Sequence, residues 1–232
     1  MHILIINGSP RSNGATGQVL SKIKSTIEEM HFGANIYYAD LGKMDIQFCK
    51  GCQLCYNTGE CFIKEDGIED LSRMIDKSDA VIFGSPEYAN NVSGQFKVLI
   101  DRGHFVFEQL LRNKACFSVV TYENFTGGAK KVVNKLVRLS GGAVSCHYST
   151  RLNSGDERFT LNDKQNERLE KLCRKFLNKA SLDNPLSLAE RIQRFIVFNI
   201  GIKPFAFKHK RHYEGVINRW VKQGVIPREI CL

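Results

Sequence analysis

The chain has 232 residues, 43% of them hydrophobic and 25% charged, with a net charge of +9. That length suits one α/β domain with a full core plus an appendage. No apolar run is long enough to span a bilayer, and the N-terminus enters a strand without a charged leader, so neither a membrane span nor a secretory signal is expected.

The expected compartment is therefore the cytoplasm, where eight cysteines point to metal or redox chemistry rather than structural disulfides. The charge is uneven. Residues 1–180 carry 24 Lys/Arg against 20 Asp/Glu, or +4, and residues 181–232 carry 9 against 4, or +5. A basic tail of this kind reads first as a solvated helical face, so neither nucleic acid nor stable membrane insertion is expected.

The chain opens with Ile3-Leu4-Ile5-Ile6-Asn7, an apolar, β-branched run suited to a strand buried on both faces. Gly8 to Thr16 (GSPRSNGAT) is a polar turn, and Val19, Leu20, Ile23, Ile27 and Met30 follow at helical spacing. Strand, turn and helix in this order aim backbone N–H groups and a helix N-terminus at an anion. Ser9, Ser12, Asn13 and Thr16 add neutral donors, and Arg11 adds a charged planar fork. The loop reads as a phosphate cradle, against the plainer reading of an N-cap. It has neither the G-x-x-x-x-G-K-[ST] of nucleotide hydrolases nor the G-x-G-x-x-G of dinucleotide folds, and no cysteine begins a C-x5-R loop.

Residues 34–39 read as a second strand and 40–48 as a connector. Cys49, Cys52, Cys55 and Cys61 then form C-x2-C-x2-C-x5-C. Four thiols within thirteen residues can wrap one centre, with Gly51 and Gly59 supplying backbone freedom, and the rhythm is near that of bacterial ferredoxins. Zinc, free thiols and a labile disulfide remain as alternatives. A helix begins at Asp66, with Ile68, Leu71, Met74 and Ile75 on one side. Asp79 to Gly84 is a third strand, leading into the loop 85–94, and one helix is expected to carry Phe96, Leu99, Ile100, Phe107 and Leu110.

Residues 115–120 read as a fourth strand with a loop at 121–128, 129–139 as a helix, 142–148 as a fifth strand and 162–178 as a charged amphipathic helix. Cys116, Cys146 and Cys173 read as core thiols, and Cys231 is unassigned. After Asn184-Pro185, Leu188, Ile192, Phe195, Ile196 and Phe198 make an apolar stripe, read as a contact with the chain's own domain or with a second copy. Alternating strands and helices imply a parallel sheet covered on both faces, and five strands suit the order 2-1-3-4-5. In such a sheet the three polar loops would meet beyond the strand ends.

The G-S-P-R-x-x-G-x-T loop resembles the phosphate loop of flavodoxin-like flavoproteins, which wraps the phosphate of FMN. Ser85-Pro86-Glu87-Tyr88, then Ser93, Lys97, Asp101 and Arg102, resembles the S-P-x-Y…S-x-x-x-K…D-R signature of the NADPH-dependent FMN reductases. The resemblance covers about residues 1–178. It implies a flavodoxin-like domain over 1–180, with 181–232 as a basic helical extension. Its FMN contacts would come from Ser9, Arg11, Asn13, Gly14, Ala15 and Thr16, from Pro86, Glu87, Tyr88, Ala89 and Asn90, and from Thr121, Tyr122 and Gly127. Asp101 and Arg102 would be a helix-borne pair bracing the loop. The cysteine segment is similar to the motif of archaeal and anaerobe iron–sulfur flavoproteins, where it carries a [4Fe–4S] cluster.

The activity so implied is an FMN-dependent oxidoreductase drawing electrons from NAD(P)H or a reduced carrier such as ferredoxin, with no side-chain nucleophile and assembled as a homodimer or homotetramer. The alternatives are a flavin electron carrier without turnover and a metal-stabilised binding module.

Overall fold

The computed structural model describes residues 1–124, 127–153, 159–183 and 185–228. Five parallel strands, β1 (His2–Asn7), β2 (Asn35–Asp40), β3 (Ala80–Tyr88), β5 (Ala115–Tyr122) and β6 (Ala143–Arg151), form a sheet in the order β2-β1-β3-β5-β6. A two-residue strand, β4 (Asn91–Val92), folds back on the end of β3 and lies off this path. With β4 set aside, this is the expected 2-1-3-4-5 order, and the point where the strand order reverses falls between β1 and β3.

The sheet separates two apolar layers, and the alternation along β1 shows why. Leu4 and Ile6 point into one layer with Val81, Phe83, Phe96 and Val133, while Ile3 and Ile5 point into the other with Leu20, Ile23, Phe117 and Phe176. The first layer is roofed by α3 (Ile68–Lys77), α4 (Gly94–Arg102) and α6 (Gly128–Leu139). The second is roofed by α1 (Ala15–Met30) and α7 (Asp163–Ala180). Burial raises the thiols of Cys146 to about 11 and Cys173 to about 12, and also raises Cys116, which keeps all three protonated at neutral pH. Cys231 and the Asn184 helix break lie outside the described residues.

Three local differences from the sequence reading matter for the site. The cysteine segment contains a short helix, α2 (Leu54–Thr58). The helix expected through residue 110 stops at Arg102. Gly103 ends it and His104 turns left-handed at φ 51°, so that α5 (Phe105–Glu108) starts in a new direction. Beyond α7 come α8 (Leu188–Phe195), a π-helical stretch (Ile196–Ile202), α9 (Lys203–Lys208) and α10 (Glu214–Lys222).

The last of these build a third apolar cluster from Phe198, Ala206, Tyr213, Val216, Ile217, Trp220 and Ile226, against which Tyr56 of α2 and Phe107 of α5 pack. Of the expected stripe only Phe198 is buried; Leu188, Ile192, Phe195 and Ile196 are exposed. No helix of the described residues is long and apolar enough to cross a membrane.

Candidate functional site

The polar loops following β1, β3 and β5 meet at the carboxyl edge of the sheet, around a cavity of about 280 Å³. The first loop is pressed against β3. Gly8 N–H donates to Gly84 O at 2.8 Å, and a Cβ at Gly8 would lie 2.6 Å from the Phe96 ring. Asn7 Oδ1 accepts from Ser9 N–H at 3.1 Å, and Ser9 Oγ accepts from Arg11 N–H at 3.1 Å, which curls the loop over the strand end. Among the described residues the N–H groups of Ser12, Asn13, Ala15, Thr16 and Gly17 have no protein partner. Three of them open α1, where the helix dipole adds partial positive charge. Arg11 lines the same hollow. Backbone donors and one guanidinium around a small cavity form a receptor for a phosphate-sized anion.

Each loop is tied to the next. Ser93 caps α4 by accepting from Phe96 N–H at 3.2 Å, donates its hydroxyl to Gly8 O, and donates its own N–H to Ser85 Oγ at 3.1 Å. The Thr16 and Thr121 hydroxyls share a hydrogen bond of 2.7 Å across 105 residues of chain. The Glu87 carboxylate accepts from the N–H groups of Gly127, Gly128 and Ala129 at 3.2–3.3 Å, closing the N-terminus of α6, and Asn90 Oδ1 accepts from Gly128 N–H at 3.1 Å. Ala89 and Asn90 reverse the chain between β3 and β4 with φ of 47° and 58°, the left-handed pair of a tight hairpin.

Twelve sequence-predicted residues line this one cavity: Ser9, Arg11, Gly14, Ala15, Thr16, Pro86, Glu87, Tyr88, Ala89, Asn90, Thr121 and Tyr122. Arg11 and Tyr88 thus share a hollow. Asn13 and Gly127 stand outside its wall. Asn13 O accepts from Gln18, and the Gly127 amide is already bound to Glu87. Glu123, Asn124 and Leu152 also line the cavity and were not anticipated. The first two simply continue the β5 loop, while Leu152 arrives from the end of β6 with no signal of its own in the sequence.

The four-cysteine segment is held at both ends by one side chain. Arg102 Nη1 donates to Gln47 O at 2.6 Å and Nη2 to Ile63 O at 3.2 Å, carbonyls that flank Cys49 and Cys61. The same guanidinium grips Asp66 through two contacts of 2.5 and 3.2 Å, with both side chains at most 2% exposed. Burial opposes the Arg102 charge, but the Asp66 hydrogen bond holds its pKa above the ordinary value. Arg102 therefore braces the cysteine segment rather than the β3 loop, and Asp101 instead pairs with Lys97 on the surface.

Within the segment Gly51, Gln53 and Gly59 take left-handed φ of 65°, 61° and 80°, and Gly51 N–H donates to Cys49 Sγ at 3.5 Å. Cys49 and Cys52 are exposed, Cys55 and Cys61 half-buried. Burial works against Cys55 ionising, yet its hydrogen bond to His104 holds the thiol below its usual pKa. The same bond and that to Glu108 lift His104, despite burial, to about 10. Four thiols on one doubly anchored loop, with an N–H already turned to one sulfur and an imidazole to another, fit the donor chemistry of an iron–sulfur cluster. Among the described residues no three His, Cys, Asp or Glu side chains already stand close enough to share a metal ion. A wider cleft of about 660 Å³ opens beside the segment, lined by Cys61, His104, Glu108 and Arg219.

Comparison with known proteins agrees with this geometry. The family described as NADPH-dependent FMN reductase matches residues 1–145. An iron–sulfur flavoprotein of Clostridioides difficile strain 630 is 39% identical over 227 residues, covering 97% of this chain and 100% of the relative. Among solved structures, RosB with a bound riboflavin 5′-phosphate derivative superposes with a TM-score of 0.61 at 14% identity, over 90% of this chain and 86% of RosB. Flavodoxin 1 from Bacillus cereus does so with a TM-score of 0.54 at 14% identity, over 77% of this chain and 98% of its own. At such identities the two structures speak for the flavodoxin-like fold alone. With one family match spanning most of the sheet and one relative matching from end to end, the chain belongs to the NADPH-dependent FMN reductase family, with the iron–sulfur flavoproteins as its kin, and is a flavin oxidoreductase.

Proposed function

We propose that the protein is an FMN-dependent oxidoreductase that takes electrons from NAD(P)H or a reduced carrier such as ferredoxin and delivers them to an acceptor by way of a [4Fe–4S] cluster on Cys49, Cys52, Cys55 and Cys61. The observation that carries this reading is the pair of unpartnered amides at Ala15 and Thr16, which open α1 and together with Arg11 line a cavity walled by the β3 and β5 loops. When bound there, FMN supplies two-electron uptake and one-electron release, and the cluster supplies a one-electron relay. Residues 1–180 are the flavin domain in this reading, 181–232 the extension, and the setting is the cytoplasm.

The chain's part is binding and electrostatics. Ser9, Arg11, Gly14, Ala15 and Thr16 hold the phosphate of FMN. Pro86 to Asn90 run along one edge of the flavin ring, and Thr121 and Tyr122 close the other side. Asn13 and Gly127, set back from the wall, shape these loops. Glu87 is spent on the N-terminus of α6, so its role is to fix the distance between two loops rather than to move a proton. No side chain serves as a nucleophile.

Anaerobic purification with a visible spectrum, iron and sulfide assays and steady-state NAD(P)H oxidation tests the whole reading. The expected result is bound flavin, iron and sulfide near four per chain, and turnover with an added acceptor. Protein that neither retains nor takes up FMN would sink it. Flavin and iron without turnover, but with rapid exchange with ferredoxin, would make the protein a carrier instead. Zinc in place of iron, with weak flavin affinity, would point to a binding module.

A further inference from the structure

The short helix that carries Cys55, α2, packs chiefly against the end of the chain. No residue of α2 is buried. Its Tyr56 ring is enclosed by Phe107, Tyr213 and His212, with centroids 5.0, 5.2 and 5.9 Å away. Asn57 Nδ2 donates to Arg211 O at 2.7 Å. Where α10 crosses α2, Gly215 lies against Gly59 so closely that a Cβ on Gly215 would fall 1.9 Å from Gly59 N. Trp220 Nε1 donates to Phe107 O, which fixes α5 to α10.

A polar chain runs through the same junction. Arg219 Nη1 sits 2.5 Å from Glu108 Oε1, and that oxygen is 3.0 Å from His104 Nδ1. The other polar neighbour of the imidazole is the Cys55 thiol. Glu108 is 6% exposed, so without Arg219 its carboxylate would be buried with one partner fewer. His104 reaches this position only by adopting a left-handed backbone, which is unfavourable for a residue with a Cβ. Strain of that kind persists where the surroundings hold it, and here they point the ring at a sulfur.

We propose that Arg219, Glu108 and His104 form a positioning relay through which the C-terminal extension holds Cys55 in the ligand set of the iron–sulfur cluster and sets the potential of that cluster. This rests on the reading of the four thiols as cluster ligands. A donor N–H on a ligating sulfur stabilises the added negative charge of the reduced cluster and raises its potential. A fixed outer partner also slows loss of the ligand. The extension is then part of the redox centre.

The test uses the full chain, purified anaerobically with its cofactors, as wild type, Arg219→Met, Arg219→Lys and His104→Met. Iron release to a chelator and the cluster midpoint potential are measured, with FMN content as the check on folding. Arg219→Met and His104→Met are expected to release iron about tenfold faster than wild type, in line with other outer-partner losses. Their cluster potential should shift to more negative values with FMN content unchanged, and Arg219→Lys should stay near wild type. Variants that keep wild-type release and potential overturn the relay while leaving the cluster reading intact. If His104→Met does not fold, Arg219→Met decides alone. Wild-type protein that never holds iron removes the cluster reading and the relay with it.

Discussion

Arg102 shows how one buried side chain organises a distant segment. Its guanidinium matches Asp66 with two contacts and still reaches the carbonyls of Gln47 and Ile63, so the cysteine segment is closed at its base like a loop on a clasp. Arg102→Met would leave the Asp66 carboxylate desolvated with only the N–H of Gln47, at 3.0 Å, and a long contact from Ile68. Removing one partner of such a pair costs about 3–5 kcal/mol. The expected result is a denaturant midpoint lowered by that free energy divided by the unchanged slope, and iron content reduced further than the stability loss alone requires. Unchanged stability would mean that water replaces the guanidinium.

His147 gives a second effect at this scale. Burial, with Lys130 and Arg168 nearby, lowers its pKa to about 4, and its Nδ1 meets Ser118 Oγ at 2.7 Å. In the unfolded chain the ring takes a proton near its ordinary 6.5, whereas the folded ring resists until about 4. The unfolded state therefore binds more protons between those values. The stability contributed by a neutral His147 is complete above pH 6.5 and is lost progressively as pH falls toward 4. Thermal unfolding from pH 7 to pH 4.5 should show a smaller fall in Tm for His147→Gln than for wild type; equal falls would place the acid sensitivity elsewhere.

At the scale of elements, the strands were legible because a strand buried on both faces leaves an uninterrupted apolar run, as in Ile3 to Ile6 and Val81 to Phe83. Their order followed from the alternation with helices, and the order brought three loops to one edge. What escaped depended on pairs remote in sequence. The grip of Glu87 on α6 spans some forty residues and uses a carboxylate that, read locally, looked like part of the flavin face. The break after Arg102 had a local sign in Gly103, but the apolar spacing of Phe107 and Leu110 continued the helical pattern across it and masked the turn at His104. Arg102 was read as bracing the β3 loop, whereas its partner Asp66 lies 36 residues earlier and gave no local sign that the braced segment is the cysteine one. The pairing of His104 with Cys55 was hidden for the same reason, since hydrophobic periodicity says nothing about which polar groups meet.

At the scale of the whole molecule, the described residues leave an apolar surface exposed on α8 and the π-helical stretch. In α8 the usual orientation of an amphipathic helix is inverted. Glu190 reaches inward to accept from Val144 N–H at 3.1 Å and to meet Lys179 at 3.5 Å, and Arg194 donates to Asn113 Oδ1 at 2.5 Å. The polar side therefore docks on the domain, and Leu188, Ile192, Phe195, Ile196 and Ile200 face outward, each half or more exposed. Periodicity identified this stripe but not the direction it faces, because either side of α8 can serve as the anchored one. A contiguous exposed apolar patch of this kind is the signature of an interaction surface, and a second copy is the occupant that adds no further component, in keeping with the homodimer or homotetramer expected from the sequence. Sedimentation at micromolar concentration is expected to give a mass of two or four chains. The double variant Ile192→Glu, Ile196→Glu is expected to sediment as a monomer. Its folded-state stability should change by no more than about 0.5 kcal/mol per site if the monomer folds independently, because exposed positions carry little packing energy. A wild-type mass of one chain, or an unchanged oligomer in the variant, would mean that this surface is covered by something other than another copy of the protein.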